Sequence, residues 1–339
     1  MDPRIELYYI LLLQSSFRGF DGAPVLTELD FPYKREALST FADFSGHEAV
    51  KIYEEMSGNL FRFGHPIRAM LSLSDPPELK LEFPIDPVTV KMADGQEQLD
   101  VFFEHVRHFA AETNFMDFYS EHQDFYSKVV ESYKRVIDRK LIRELEDYFG
   151  HKQNSYTLIA APLSLSGGFG PSVEVSKGTF DIFYIAGPSQ LQDGEPVLST
   201  GVRLKTLFWH EFSHSFINHL TDDNIEPLRG PCDILQAEMK DTLKKMGFGE
   251  EMWDIHISDW ISEHVVRGVT SRLVFHTGGE NAAEMALKKE IANGFPYVRE
   301  VYSSLEIYEQ SRDLFPSLKD YFPEIVHVFE KLASVKQIQ

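Results

Sequence analysis

The chain has 339 residues, 43% of them hydrophobic and 13% aromatic, which is enough apolar material for a large core and predicts a globular protein with two lobes. Its 33 basic and 53 acidic residues give a net charge of −20, which argues against nucleic acid as a partner because phosphate backbones are repelled. The single cysteine, Cys232, excludes an internal disulfide and a C-x-x-C zinc site, so any zinc ligands must be histidines and carboxylates.

The first apolar run, residues 5–13 (IELYYILLL), predicts a buried helix. A secretion signal would need a basic leading segment and a small-residue cleavage site, whereas this run has Glu6 near its start and lacks both. No apolar run reaches the roughly 18 residues that span a bilayer, so we expect no membrane insertion. We expect a soluble protein, cytoplasmic by default and extracytoplasmic if a signal was trimmed from the chain.

Residues 1–75 mix short helical patterns with loops, and the prolines of residues 75–87 predict a connector. Residues 96–149 then carry two long amphipathic segments whose apolar residues recur at helical spacing and are predicted to be core. These residues are Val101, Phe102, Val106, Phe109 and Phe115, then Phe125, Val129, Val130, Tyr133, Val136, Ile137, Leu141 and Leu145. His105 and His108 are predicted to be partly exposed polar positions, because no carboxylate-bearing motif frames them.

Two short stretches rich in β-branched and aromatic residues, 156–166 and 179–186, predict strands. The glycine-rich residues 167–171 between them predict a hairpin connection. No Gly-Lys-Ser/Thr follows these glycines, so they do not match a phosphate loop. The predicted domains are a mainly helical lobe at residues 1–150 and, at residues 151–339, a small sheet followed by helices.

Residues 202–220 predict a helix that contains the motif H-E-x-x-H at residues 210–214. Residues four apart share one face of a helix, so His210 and His214 can bind a single Zn²⁺ while Glu211 reaches a water on that metal. The large apolar residues of the helix fall on another side; they are Phe208, Trp209, Phe212, Phe216 and Leu220. The motif and its setting favour a zinc-dependent hydrolase, and a peptidase in particular.

A catalytic zinc usually takes three protein ligands, so a third ligand is expected beyond His214. Leu220 stands where a metzincin would carry its third histidine, which argues against that class. The acidic residues directly after the helix fall in a predicted loop, where solvated carboxylates are the default; they are Asp222, Asp223 and Glu226.

Glu263 is the predicted third ligand. It lies in a helix predicted to start near residues 258–259, and Arg267 one turn on can hold its carboxylate in place. Glu238 and His264 stay open as alternatives, although Glu238 sits among alternating charges typical of an exposed face. His264 points about 100° away from Glu263, so the two are not expected to bind one ion together.

The segments F-W-H-E-F-S-H-S-F at residues 208–216 and W-I-S-E-H-V-V-R at residues 260–267 resemble an uncharacterised bacterial domain-of-unknown-function family with a WHEFSH motif. That family is grouped with the gluzincin-like HExxH zinc metallopeptidases. The likeness extends to residues 2–7, 294–297 and 308–312. It implies a zincin-like α+β fold, mostly helical, with a small sheet preceding the HExxH helix.

The resemblance also implies His210, His214 and Glu263 as zinc ligands and Glu211 as the general base. It implies a peptide or protein substrate without saying which one. Members of such families often carry a secretion signal, so the resemblance leaves the compartment open.

Peptide hydrolysis also needs a donor for the developing oxyanion, which gluzincins take from the C-terminal lobe; Tyr297 is the preferred candidate, with Tyr302 and His276 as alternatives. Two hypotheses compete with a peptidase. One is a zinc protein that captures peptides or hydrolyses another bond, and the other is a helical scaffold with an accidental motif. Glu211 argues against an inactive enzyme, because loss of this base is the usual mark of one.

Overall fold

The computed structural model describes residues 1–19, 24–245 and 253–338. In these residues the protein is mostly helical, with a small sheet that precedes the motif helix along the chain. The predicted α+β class is confirmed. None of the described helices combines the length and the apolar content that a membrane crossing requires.

The chain forms two compact units. Unit 1 combines residues 1–138 with 153–207, and unit 2 combines residues 139–152 with 208–339. This differs from the predicted division near residue 150, because the sheet belongs with the N-terminal helices and the short helix before it belongs with the C-terminal ones. Each unit is made of two separate segments of the chain, so no single domain boundary in the sequence can describe them.

The helices of unit 1 are α1 (Pro3–Gln14), α2 (Pro32–Thr40), α3 (Glu48–Gly58), α4 (Gly64–Leu71), α5 (Pro87–Met92), α6 (Gln96–Glu112), α7 (Phe115–Glu121) and α8 (Gln123–Lys134). The α1 helix starts at a side-chain cap, because the Asp2 carboxylate accepts hydrogen bonds from the backbone N–H groups of Arg4 and Ile5. Its residues 5–12 are all buried, which confirms the predicted buried helix.

Glu6 is a buried carboxyl group on α1, only 1% exposed. The Tyr33 hydroxyl donates a hydrogen bond to it, and the hydroxyls of Tyr33 and Tyr126 lie 2.8 Å apart. Burial raises the pKa of Glu6 to about 7 in spite of the hydrogen bond from Tyr33. The carboxyl group is therefore much harder to ionise in the folded chain than in the unfolded one.

Residues 96–149 form four helices, α6, α7, α8 and α9 (Lys140–Phe149), where two long segments were predicted. The predicted core residues are buried or partly buried, except Val101, which is 36% exposed. Val101 precedes the buried Phe102 by one residue and is therefore turned about 100° away from the core. His105 is partly buried and His108 is exposed, as predicted.

The connector predicted at residues 75–87 is confirmed, since α4 ends at Leu71 and α5 begins at Pro87. Within and next to the connector, Leu73 and Leu81 form one isolated antiparallel β-bridge. The connector therefore joins two short helices of unit 1 without adding a strand to the sheet.

The sheet of unit 1 is built around β4 (Thr179–Gly187). Its neighbour β1 (Ser155–Ala160) is parallel to it. Two short strands, β2 (Gly167–Phe169) and β3 (Ser172–Ser176), pair with it in the antiparallel sense. A separate hairpin joins β5 (Gln190–Gln192) to β6 (Glu195–Val197).

The predicted hairpin between the two main strands is wrong. Parallel neighbours cannot be joined by a tight turn, and the glycine-rich segment contributes β2 to the sheet. Gly168 is needed there for close packing, because a Cβ on it would lie 2.1 Å from the carbonyl oxygen of Ile185. The first predicted strand is also shorter than expected and ends at Ala160.

Unit 2 contains α9, most of α10 (Gly201–Asp223), and then α11 (Ile225–Ile234), α12 (Gln236–Lys245), α13 (Trp253–Ala292), α14 (Val298–Gln310) and α15 (Leu318–Ile338). The α13 helix includes Trp253, so the predicted start near residues 258–259 is wrong. Those two residues bond within the unit instead: Ser258 donates to Asp222, and Asp259 lies 2.7 Å from His256. The chain's cysteine, Cys232, is buried on α11 with a free thiol.

Gly279 divides α13 into two arms. Its φ of 75° and ψ of −176° are accessible essentially to glycine alone. Arg267 and Glu290 pair across the two arms although they lie 12 residues before and 11 residues after the glycine. The two arms therefore fold back on one another as a helical hairpin.

The first arm packs closely on α14. A Cβ added to Gly268 would lie 2.7 Å from Cγ1 of Val301, so the glycine permits the close approach. Further along, Arg272 donates to Glu309 through two nitrogens, and the Tyr308 hydroxyl donates to the carbonyl of Tyr148 on α9. The bonds of Arg272 join α13 to α14, and the bond of Tyr308 joins α14 to α9.

We expect Gly279→Ala to lower the free energy of unfolding by roughly 1–3 kcal/mol, because alanine resists the backbone conformation at the hairpin turn. Gly230→Ala on α11 is the matched control, since its added Cβ meets nothing within 4 Å and its φ is ordinary. The control should be neutral or stabilising by up to about 1 kcal/mol. Urea unfolding followed by circular dichroism measures both, and equal effects would contradict the role given to Gly279.

We expect Glu6→Gln to stabilise the protein more at pH 8 than at pH 5. The folded pKa of Glu6 is raised from 4.5 to about 7, so its stabilising contribution is complete below pH 4.5 and is lost as the pH rises through 7. The loss is at most roughly 3 kcal/mol, at about 1.4 kcal/mol per pH unit. Thermal unfolding at both pH values tests this, with the exposed Glu97→Gln as control; a pH-independent difference would contradict it.

Candidate metal centre

The two histidines of the motif lie one turn apart on α10 and face the same way. Their Nε2 atoms are 3.3 Å apart, and their rings are nearly perpendicular, at 83°. The large apolar residues predicted for the other side of the helix are all exposed by 2% or less; they are Phe208, Trp209, Phe212, Phe216 and Leu220. This buried side fixes the rotation of α10, so both imidazoles project together towards α13.

Glu263, on the first arm of α13, completes the cluster. Its Oε1 lies 3.4 Å from Nε2 of His214, and its Oε2 lies 3.8 Å from Nε2 of His210. In the described part of the chain, the three residues form a group whose ligand atoms all lie within 4.8 Å of one another. The structure therefore brings together the three predicted ligands.

The spacing of these three side chains can accommodate a single zinc ion. Zinc–ligand bonds of about 2.0–2.1 Å in tetrahedral geometry separate neighbouring ligand atoms by about 3.3–3.4 Å. The two Nε2 atoms are 3.3 Å apart, and the Glu263 carboxylate approaches each histidine with a different oxygen: Oε1 lies 3.4 Å from Nε2 of His214 and Oε2 lies 3.8 Å from Nε2 of His210. Two imidazole nitrogens and one carboxylate oxygen are also a donor set that zinc prefers. The residues present therefore fit the metal that the motif implies.

Asn218 orients one of the histidines. Its Oδ1 lies 3.2 Å from Nδ1 of His214. An amide oxygen can only accept, so Nδ1 of His214 carries the proton and Nε2 presents its lone pair to the cluster. Asn218 was not predicted from the sequence, although an amide one turn beyond the second histidine of the motif is a signal that could have identified it.

Arg267 holds the carboxylate of Glu263, as predicted. Its Nη2 lies 2.8 Å from Oε2 of Glu263. The same guanidinium pairs through Nη1 with Glu290 on the second arm of α13, and it stacks over the ring of Phe295 at 3.8 Å. Glu290 and Phe295 were not predicted from the sequence. Apart from Gly279, no residue pattern near them indicates the helical hairpin that brings them to Arg267.

The electrostatics of the cluster favour the metal-binding forms of His210 and Glu263. Burial lowers the pKa of His210 to about 3, and the charge of Arg267 acts in the same direction, so the ring is neutral near pH 7. Burial alone would raise the pKa of Glu263, but Arg267 and the two histidines hold it well below its usual range. Neutral imidazoles and an ionised carboxylate are the states that metal binding requires.

Glu211 is 8% exposed and lies beside this cluster in the sequence. Burial raises the pKa of its carboxyl group well above the usual range, and the negative charge of Glu263 adds to the shift. Arg267 opposes the shift without cancelling it. Glu211 is therefore a carboxylate with a strong affinity for protons.

The two alternative third ligands lie elsewhere. Glu238 pairs with Lys336 of α15. His264 is completely buried, and its Nδ1 donates to the carbonyl of Trp260 at 2.8 Å. Neither belongs to the group formed by the two motif histidines. The acidic residues Asp222, Asp223 and Glu226 are exposed, as predicted. The predicted loop is wrong, because α10 extends to Asp223 and Glu226 lies in the first turn of α11.

Two of the three candidate oxyanion donors contact or belong to parts of α13 that are far from Glu263. His276 follows Glu263 by 13 residues, or about 20 Å of helix, and lies 3.1 Å from Glu309. Tyr302 stacks on the guanidinium of Arg272, which is about 14 Å along the same arm. Both are therefore held away from the cluster by the length of the arm.

Tyr297 is the candidate donor at the level of the cluster. Its ring lies 5.9 Å from that of Trp260 and 6.0 Å from that of His264. These two residues lie within one turn of Glu263 on α13. Its role as a donor stays a prediction.

The cluster defines a site of two histidines and one carboxylate that can hold a divalent metal. Residues 1–328 match the model of a family described as a domain of unknown function, DUF4932, and the chain belongs to that family. No curated protein and no solved structure gives a significant match. The match confirms the predicted membership of a domain-of-unknown-function family, and it adds no activity to the geometry of the site.

We expect Glu263→Ala to reduce the zinc content of the purified protein from about one ion per chain to less than one-tenth of that, because a two-histidine site lacks the charged ligand. Glu238→Ala is the matched control, a carboxylate of the same unit that pairs with Lys336. Metal analysis after dialysis compares the two. Full zinc in Glu263→Ala, with loss in Glu238→Ala, would reverse the ligand assignment.

Proposed function

We propose that the protein is a zinc-dependent metallopeptidase of the gluzincin type that hydrolyses peptide bonds in peptide or protein substrates. One observation carries the proposal: the two Nε2 atoms and the Glu263 carboxylate lie close enough together to share one zinc ion, and the buried Glu211 lies in the same turn of α10 as the two histidines. The ligands are His210, His214 and Glu263.

The chain's own residues would prepare this site for a metal. The two histidines bind through Nε2, with His214 held in the required tautomer by Asn218. Glu263 binds through its carboxylate, which Arg267 keeps ionised and in place. Zinc at this position supplies a Lewis acid that polarises the scissile carbonyl and lowers the pKa of water to about 7.

Glu211 is the proposed general base. Its carboxylate takes a proton from the attacking water, holds it on a carboxylate oxygen, and delivers it to the leaving amine. Its position supports this role, because Glu211 directly follows the proposed ligand His210 on α10 and its side chain is only 8% exposed. Tyr297 is the proposed donor to the oxyanion, since it lies at the level of the cluster along α13.

The buried Glu211 also favours a hydrolase over a module that only captures peptides. Burying an ionisable carboxyl group costs free energy, and a metal site used for binding alone needs no such group beside its ligands. A zinc hydrolase acting on another bond would share the same ligands and base. Digestion of a peptide library distinguishes such a hydrolase from a peptidase.

We expect Glu211→Gln to keep its zinc and to lose peptide cleavage by a factor of about 10²–10⁴, the usual contribution of a general base. The assay is digestion of a peptide library, with zinc measured on each preparation. Glu226→Gln removes an exposed carboxylate from the segment after α10 and should cleave as the unchanged protein does.

Three outcomes are informative. Equal cleavage by Glu211→Gln and the unchanged protein would remove Glu211 from the mechanism. Zinc binding without any peptide cleavage would contradict the peptidase proposal and favour capture or another bond. Cleavage that requires both zinc and Glu211 supports the proposal.

A further inference from the structure

The guanidinium of Arg267 is shared between two carboxylates that lie on different arms of α13. Its Nη2 faces Glu263 at 2.8 Å and its Nη1 pairs with Glu290. All three side chains are largely buried, with exposures of 18%, 18% and 14%. The two nitrogens of one planar group are therefore committed in different directions, which fixes the plane of the guanidinium.

Phe295 restrains the same group from a third side. The guanidinium carbon lies 3.8 Å from the centre of its ring, close enough for cation–π attraction. The guanidinium of Arg267 is therefore paired with Glu263 through Nη2 and with Glu290 through Nη1, and the ring of Phe295 packs against one of its faces. The position it imposes on Glu263 depends on residues 290 and 295 as well as on α13 itself.

The charges along this chain of contacts alternate. Glu263 and Glu290 are negative, and Arg267 between them is positive. Without Glu290, the full positive charge of the guanidinium would act on Glu263, the carboxylate that has to bind a divalent cation. That charge would repel the cation and would draw the Glu263 carboxylate away from it.

We propose that Glu290 is a positioning residue of the metal centre, acting through Arg267 to fix the Glu263 carboxylate and to offset the guanidinium charge. The inference rests on the proposed function in one respect, namely that Glu263 binds the metal. It assigns to the second arm of α13 a role in metal affinity, although that arm contributes none of the three ligands.

Another ion pair shows that the second arm has a separate attachment. Glu284, also on the second arm, pairs with Arg299 of α14 at 2.8 Å. Neither of these two residues belongs to the cluster or contacts Arg267 in the described structure. Glu284→Gln therefore makes the same chemical change on the same arm without touching the metal centre, and it is the matched control for Glu290→Gln.

The test measures zinc affinity of the full chain by competition with a chelator of known affinity. We expect Glu290→Gln to bind zinc about 10–100 times more weakly, the usual effect of removing a residue that orients a metal ligand. Glu284→Gln should stay within about twofold of the unchanged protein. In an Arg267→Met background, Glu290→Gln should also change affinity by less than about twofold, because the residue through which it acts is gone.

Zinc-free thermal unfolding of each variant checks that the fold is intact. If Glu290→Gln does not fold, Glu290→Asp replaces it, since the shortened side chain keeps the charge but withdraws it from Arg267 and should weaken zinc binding at least about fivefold. Unchanged affinity in the folded variant, or an equal loss in the Arg267→Met background, would overturn the proposal. A protein that binds zinc but cleaves no peptide would contradict the peptidase while leaving this result standing.

Discussion

The ion pair between Glu263 and Arg267 is the interaction on which the candidate site depends. A carboxyl group buried beside two imidazoles would ordinarily keep its proton, and a protonated carboxyl group is a poor metal ligand. The guanidinium 2.8 Å away reverses that preference and lowers the pKa of Glu263. The position of Glu263 one turn before Arg267 thus decides both its charge and its direction.

The packing of α10 supplies the other half of the site. Its aromatic side is buried, so the helix cannot rotate without exposing several large rings to water, at about 25 cal/mol for each Å² of apolar surface. This constraint holds His210 and His214 on the side that faces Glu263. Two packed helices, rather than a flexible loop, therefore set the separations of the ligand atoms, and such rigid support is what a metal site needs.

The sequence was informative where the signal was local. Helical spacing relates His210 to His214 on α10 and Glu263 to Arg267 on α13, and the buried α1 follows from its apolar run, so each of these features could be inferred from neighbouring residues. The parallel pairing of β1 with β4 could not be predicted in this way, because parallel strands are not joined by a tight turn that the sequence between them would reveal. The same holds for the association of α9 with unit 2 and for the contact of Glu290 with Arg267.

Ser258 and Asp259 show the opposite error, in which a local signal misled. Both are favourable residues for starting a helix, yet they lie inside α13 and use their side chains in other contacts. Periodicity therefore identified the helix that carries the third ligand, whereas its first residue depended on partners that only the folded chain reveals.

The turn at Gly279 has a consequence for the order in which the chain folds. Arg267 and Glu290 are only 23 positions apart, so closing the loop between them costs little chain entropy. Contacts of such short range form rapidly, whereas those between α10 and α13 bridge a much longer stretch of chain. We therefore expect the contacts of Arg267 that position Glu263 to form early in folding, before His210 and His214 pack against α13.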